Sequence, residues 1–140
     1  MSRELSKIRL YSMKFLYLFT AVVVGINAWP ALINPAKPWD ILQGVAWSFY
    51  AAFSLLMLLG VRLPTRMLPL MLLQLFYKLI WLIAVGYPLR SAGNPNVSGA
   101  IKTFIGAAVL DFIIIPWPYV FANYVKAIFK PAAKEELVSP

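Results

Sequence analysis

The sequence predicts an all-α fold: a polytopic membrane protein built as a four-transmembrane-helix bundle, with a further C-terminal segment suited to a helix at the interface. Three observations predict it. Of the 140 residues, 61% are apolar and only 13% charged, and the mean hydropathy is +0.75. So short a chain cannot bury that excess and still cover its own surface, which argues against a small soluble enzyme. Four apolar runs approach the ~20 residues that cross ~30 Å of hydrocarbon. Proline- and glycine-rich breaks separate those runs.

The first span covers about 13–30, with its apolar centre from Phe15 to Trp29. Pro30, Pro35 and Pro38 then predict an extended connection over 30–39, because proline lacks the N–H that continues a helix. The second span covers about 40–60 and the third about 66–87. Between them Gly60-Val61-Arg62-Leu63-Pro64 is short enough to make the two antiparallel neighbours. The turn-forming run from Ser91 to Gly99 is the longest polar loop; its Asn96-Val97-Ser98 fits the glycosylation pattern, as three residues often do by chance. The fourth span covers about 99–118 and is interrupted by Pro116-Trp117-Pro118. Residues 119–130 place Asn123, Lys126 and Lys130 on one helical face, which suits either an interfacial helix with its lysines outward or a kinked continuation of the fourth span. Residues 131–140 read as a disordered cytoplasmic tail, so that 1–130 form a single membrane domain.

Basic residues orient the bundle. Arg3, Lys7, Arg9, Lys14, Arg62, Arg66, Lys126, Lys130 and Lys134 share one side, against Lys37, Arg90 and Lys102 on the other. The positive-inside rule makes both termini cytoplasmic. The net charge of +8 is then a topology signal with affinity for anionic headgroups, and it gives a nucleic-acid partner little support. A basic stretch before an apolar run also suits a signal peptide, but no small-x-small cleavage site follows Val24.

Lys78 and Asp111 are the only charges well inside the apolar runs. Either one facing lipid would cost ~3 kcal/mol or more. Counting from the outer ends of their spans puts Lys78 ~13 Å and Asp111 ~16 Å deep at 1.5 Å per residue. An ion pair between neighbouring spans follows. The faces agree: Thr103, Ala107 and Asp111 recur every four residues with Gly99 in the row and Gly106 beside it, a small-residue stripe suited to close helix approach. Gln74, Lys78 and Trp81 share a stripe of the third span. The second span offers a small stripe (Gly44, Ser48, Ala52) and an amphipathic one (Gln43, Trp47, Tyr50, Ser54), and the first aligns Tyr17, Thr20, Val24 and Asn27. Thr20 and Tyr50 fall near the charged layer, while Asn27, Asp40 and Gln43 fall near the outer mouth.

The candidate ligand-binding set is therefore Lys78, Asp111, Tyr50, Trp47, Trp81, Gln74, Thr20, Asn27 and Gln43, around a polar pocket floored by the pair. The competing reading is a charge pair that fixes helix register and does nothing else. Trp29, Trp39, Tyr87, Trp117 and Tyr119 fall at span ends, as an aromatic belt would. Trp47, Tyr50, Tyr77 and Trp81 lie deeper, where ordinary packing or an apolar ligand site would use them. With no Cys and no His, no thiolate or imidazole can hold a metal or haem. No glycine-rich phosphate loop and no carboxylate cluster is visible, so no cofactor, metal or catalytic residue is expected.

The stretch LGVRLPTRMLPLMLLQLFYKLIWLIAVGYPL, with the later IPWPYV, resembles a family of small, uncharacterised bacterial four-span inner-membrane proteins. Lys78, Ile80 and Trp81 match its Lys-x-Ile-Trp centre, and Ile115, Pro116, Trp117, Tyr119 and Val120 match its end. That pattern carries an acidic residue near Gln74 and a tryptophan near Tyr77, where this chain departs from it. Size and span count are also similar to DoxX-type families. Neither resemblance implies an activity.

Three functions fit. The leading one is a non-catalytic integral membrane protein, an accessory or ligand-binding subunit of a homo-oligomer or larger membrane complex. The second is a small transporter or carrier of an ion, a proton or a small amphiphile. The third is a membrane-embedded enzyme acting on a lipophilic substrate, which would rest on Lys78 alone.

Overall fold

The computed structural model describes residues 5–129, and every one of its regular elements is helical. Four of these helices are long and apolar enough to cross a membrane: α1 (Lys7–Ile33), α2 (Ile41–Arg62), α3 (Leu68–Ser91) and α4 (Val97–Ile114). A short helical segment, α5 (117–128), follows. The tail expected over 131–140 lies outside the described residues, as do Lys130 and Lys134.

Local chemistry sets the helix ends. The Ser6 hydroxyl accepts the Arg9 N–H at 3.2 Å and starts α1, and the Asp40 carboxylate accepts the Gln43 N–H at 3.4 Å and starts α2. The expected break at Pro30 is corrected: α1 runs through it to Ile33. A proline in the last turns costs only the bond to the carbonyl four residues back, and the turn beyond it is closed by Asn34 N–H to Pro30 O at 3.0 Å. The third span likewise passes its expected end at 87. Pro88 cannot donate, and the helix widens just before it into a π-helical stretch, Leu82–Gly86, in which Tyr87 N–H bonds the Leu82 carbonyl. The helix stops only at Gly93, whose φ of +81° closes a Schellman cap: Asn94 N–H to Leu89 O at 3.1 Å and Gly93 N–H to Arg90 O at 3.0 Å.

The fourth span does break at the prolines, at Ile114 rather than at 118. Its last carbonyls find side-chain donors. The Trp117 indole N–H donates to Phe112 O at 2.8 Å, and the Arg9 guanidinium donates to Ile113 O at 2.6 Å and Ile114 O at 3.1 Å. A cation at a helix C-terminus satisfies both the unpaired carbonyls and the dipole. Arg9 thereby ties α1 to α4. The segment after the prolines is a separate short helix, and its Val120 is buried against the bundle.

The four long helices pack most closely as α1 on α2 and α3 on α4, while α4 with α1 and α2 with α3 approach less closely, the latter pair meeting through Tyr50 and Phe53 against Tyr77. Outward faces carry Phe15, Phe19, Leu58, Ile83, Phe112 and Ile113, all at least 48% exposed. So continuous an apolar exterior suits hydrocarbon and not water. The interior is uneven. The largest fully buried apolar side chains, among them Met13, Tyr17, Met57, Leu68 and Met71, all lie in the half of the bundle nearest the α2–α3 turn. Tyr17 sits over Gly60, where any Cβ would overlap its ring, and its hydroxyl donates to Pro64 O at 2.8 Å. Above this plug the packing loosens.

Candidate functional site

Lys78 and Asp111 do meet. Lys78 Nζ donates to Asp111 Oδ2 at 2.6 Å, with side chains 7% and 1% exposed. The ~3 Å between their counted depths is absorbed by the length of the lysine stem. Gln74, one turn before Lys78 on the same face of α3, donates through Nε2 to the other carboxylate oxygen, Oδ1, at 2.7 Å. Both oxygens of Asp111 are thus held from α3, which fixes the α3–α4 register. Gln74 is 2% exposed, and its carbonyl oxygen Oε1 has no hydrogen-bond partner among the described residues.

This cluster forms one wall of a cavity of about 240 Å³ between α1, α3 and α4. The rest of the lining is mostly apolar, with Leu16 buried and Phe19, Val23 and Leu110 exposed at an open rim, and Thr20 and Thr103 beside them. A second cavity of about 240 Å³ shares Val23, Val24, Tyr77 and Phe104 with the first and extends past Trp47 and Tyr50 to Asn27. All four spans contribute to this pair of cavities. The aromatic rings between them meet edge-on: Tyr77 with Phe104 at 6.1 Å, and Tyr50 with Tyr77 at 6.4 Å between centroids.

Seven of the nine residues expected at the pocket line these cavities. Lys78, Asp111, Gln74 and Thr20 border the first; Asn27, Trp47 and Tyr50 border the second. Asn27 also donates to Val23 O at 2.7 Å, within its own helix. Two expectations are corrected. Gln43 is exposed in the first turn of α2, where its backbone meets the Asp40 cap. Trp81 packs on Phe104 at 4.6 Å and against Gly86, outside either cavity lining.

The small-residue stripes also behave differently from expectation. A Cβ at Gly99 or Gly106 would meet nothing within 4 Å, so no helix among the described residues approaches there. The buried line of α4 is Val97, Ile101, Ala108, Asp111 and Ile114. On α2, Gly44, Ser48 and Ala52 also lie outside the buried set, which is Ala51, Phe53, Ser54, Met57 and Gly60. Thr103 and Ala107 instead line the cavity, where small side chains leave it open. Trp29, expected at the headgroups, turns its indole inward to Ser54 Oγ at 3.1 Å.

No protein-family model matches the chain, and neither a curated protein nor a solved structure is significantly similar to it. Tyr77, one of the deeper aromatics, lines both cavities, and so does Phe104, while Phe19 lines the first. Neither phenylalanine carries a signal in the sequence, because nothing in an apolar run marks one ring from another. The arrangement offers a neutralised charge pair, three hydroxyl-bearing side chains (Thr20, Tyr77 and Thr103) and a large apolar volume. Among the described residues it offers no nucleophile paired with a base.

Proposed function

We propose that this is a non-catalytic integral membrane protein, an accessory or ligand-binding subunit that holds a small amphiphilic molecule between its spans. The observation that carries this is the position of the Gln74–Lys78–Asp111 cluster on the wall of a mostly apolar cavity of about 240 Å³. A pair that served only as a register pin would be better enclosed by packing on every side. Ligand sites are mostly apolar concavities with a few convergent polar groups, which is the pattern here. The bilayer supplies the surroundings, and the nine-to-three bias of basic residues favours an orientation with both termini cytoplasmic and anionic headgroups against the terminal face. The C-terminal resemblance to small bacterial four-span proteins is in keeping with that placement.

Native mass spectrometry after gentle extraction tests the reading. The unaltered chain is expected to retain a small-molecule adduct that Ala107→Leu, which fills the cavity, releases. A chain without an adduct, or one whose adduct survives Ala107→Leu, contradicts it. A co-purifying protein subunit would add the accessory role.

Transport is the second reading, favoured by the shared wall that links the charged layer to a cavity reaching Asn27. It requires Asp111→Asn to abolish uptake in a folded bundle; undiminished uptake in that variant rules it out.

A further inference from the structure

We infer that the site is entered sideways from the bilayer, and that its amphiphile is a membrane lipid with one hydrocarbon chain lying between α1 and α4; this rests on the ligand-binding reading above. The opening points to it first. Phe19, Val23 and Leu110 line the first cavity, yet they are also 50%, 41% and 39% exposed on the outer faces of α1 and α4. In a spanning bundle those faces meet hydrocarbon, so the mouth between them opens to lipid and not to water. The opposite end is shut. Met13, Tyr17, Met57, Leu68 and Met71 fill the bundle near the α2–α3 turn, and Arg9 clamps the end of α4 to α1. The α1–α4 seam is held there and parts beyond it.

Length points to the occupant. Leu16, Phe19, Thr20, Val23, Val24 and Asn27 share one face of α1, and each lines one or both cavities. Val23 and Val24 border both, so the strip is unbroken from 16 to 27, ~16 Å at 1.5 Å per residue. Half of the ~30 Å hydrocarbon layer is ~15 Å. The strip therefore runs the depth of one leaflet, from the charged layer to the end of α1 that carries the exposed Asn27. A lipid chain of that leaflet matches it end to end, with its head group left at the interface. The strip also passes the Tyr77 and Phe104 rings, which border both cavities. An occupant of full length must be slender and flexible there, as a hydrocarbon chain is.

The polar groups along the way ask little of it. Among the described residues, Lys78 and Asp111 are the only ionised groups lining either cavity, and they neutralise each other. The Thr103 hydroxyl donates to Gly99 O at 2.9 Å and the Asn27 amide to Val23 O at 2.7 Å, each within its own helix. A charged head at the level of the pair would be unbalanced in hydrocarbon, whereas the methyl end of a chain is at home there.

The probes are two phosphatidylcholines with a photoactivatable diazirine on one chain, near the methyl end or near the carbonyl, and a diazirine-bearing octanol. Each is mixed into nanodiscs of unlabelled phosphatidylcholine holding the full chain, and the labelled residues are mapped by mass spectrometry. Ile80 and Val109, 64% and 53% exposed, report ordinary surrounding lipid. Leu16 and Thr20, 1% and 7% exposed, are reached only through the cleft. The methyl-end probe is expected on Leu16 and Thr20, and the carbonyl-end probe on Val24 and Tyr50. Ala107→Leu should cut this inward labelling about tenfold, the scale of forcing one extra side chain into filled space, and should spare Ile80 and Val109.

Lipid label confined to Ile80 and Val109, while the octanol labels Thr20 and Ala107→Leu removes it, overturns the lipid chain and leaves a cavity for small amphiphiles standing. No inward label from any probe, or inward label that survives Ala107→Leu, overturns the cavity reading as well. A reversed order of the two lipid probes along α1 overturns insertion from the leaflet at Asn27. Should Ala107→Leu fail to fold, the order of labels in the unaltered chain still decides.

Discussion

Asp111 shows how a single residue organises its surroundings when it is placed where charge is expensive. Both of its oxygens are engaged from α3, by Gln74 and Lys78. Removing one member of such a pair leaves the other buried and unbalanced, so Lys78→Met and Asp111→Leu should each destabilise the bundle by about 3–5 kcal/mol. The double variant should recover most of that loss, as a coupling in a double-mutant cycle read by denaturant titration in mild detergent. Additive losses would mean that the two groups do not interact. Arg9 illustrates a residue whose role could not be read in advance. Arg9→Met strips the Ile113 and Ile114 carbonyls of their donor, with an expected loss of about 1.5–3 kcal/mol in the same titration; an unchanged midpoint would contradict the capping role. The Lys78–Asp111 pair was legible because burial penalties leave two lone opposite charges little choice. Arg9's partners were not, because which carbonyls fall vacant depends on where a proline stops a helix.

At the scale of elements, apolar runs and breaker residues located all four long helices, but they misjudged how proline acts. Pro30 and Pro88 lie inside helices, one near a C-terminus where a single bond is lost and one after a π-helical widening, whereas Pro64 follows the end of α2 and Pro116, with Pro118 close behind, ends α4. Small-residue spacing misled in a similar way, since Gly99 and Gly106 border open space while Gly60 makes the close contact. Periodicity reports a face but not what the face meets. Gly60→Ala places its methyl in the Tyr17 ring, which cannot retreat because Tyr17 is fully buried and hydrogen-bonded to Pro64. The expected cost is about 1–3 kcal/mol, seen as a lower Tm in detergent and relieved in the Tyr17→Leu background. If Gly60→Ala is as harmful in that background as in the unaltered chain, another contact is responsible.

For the whole molecule, the described structure is tightly packed at one end and looser at the other, and the charged layer lies between the two. That division was only partly readable: depth counting placed the pair, Thr20 and Tyr50 together, whereas the packing difference depends on which faces the helices turn inward. The orientation in the membrane is open to a clean test because the chain has no cysteine. A membrane-impermeant maleimide should label Ser91→Cys from outside intact spheroplasts and spare Thr65→Cys in the α2–α3 turn. The reverse labelling would invert the topology.

The most direct test of the account is the distance across the charged layer. The chain contains only two aspartates, Asp40 and Asp111, so carbon labelling of aspartate carboxyls with nitrogen labelling of lysine ammonium groups gives a nearly unambiguous dipolar-recoupling experiment in lipid. With Nζ and Oδ2 at 2.6 Å, a strong nitrogen–carbon coupling should appear and vanish in Asp111→Asn. Absence of that coupling in the unaltered chain would contradict the buried pair and the cavity wall built on it.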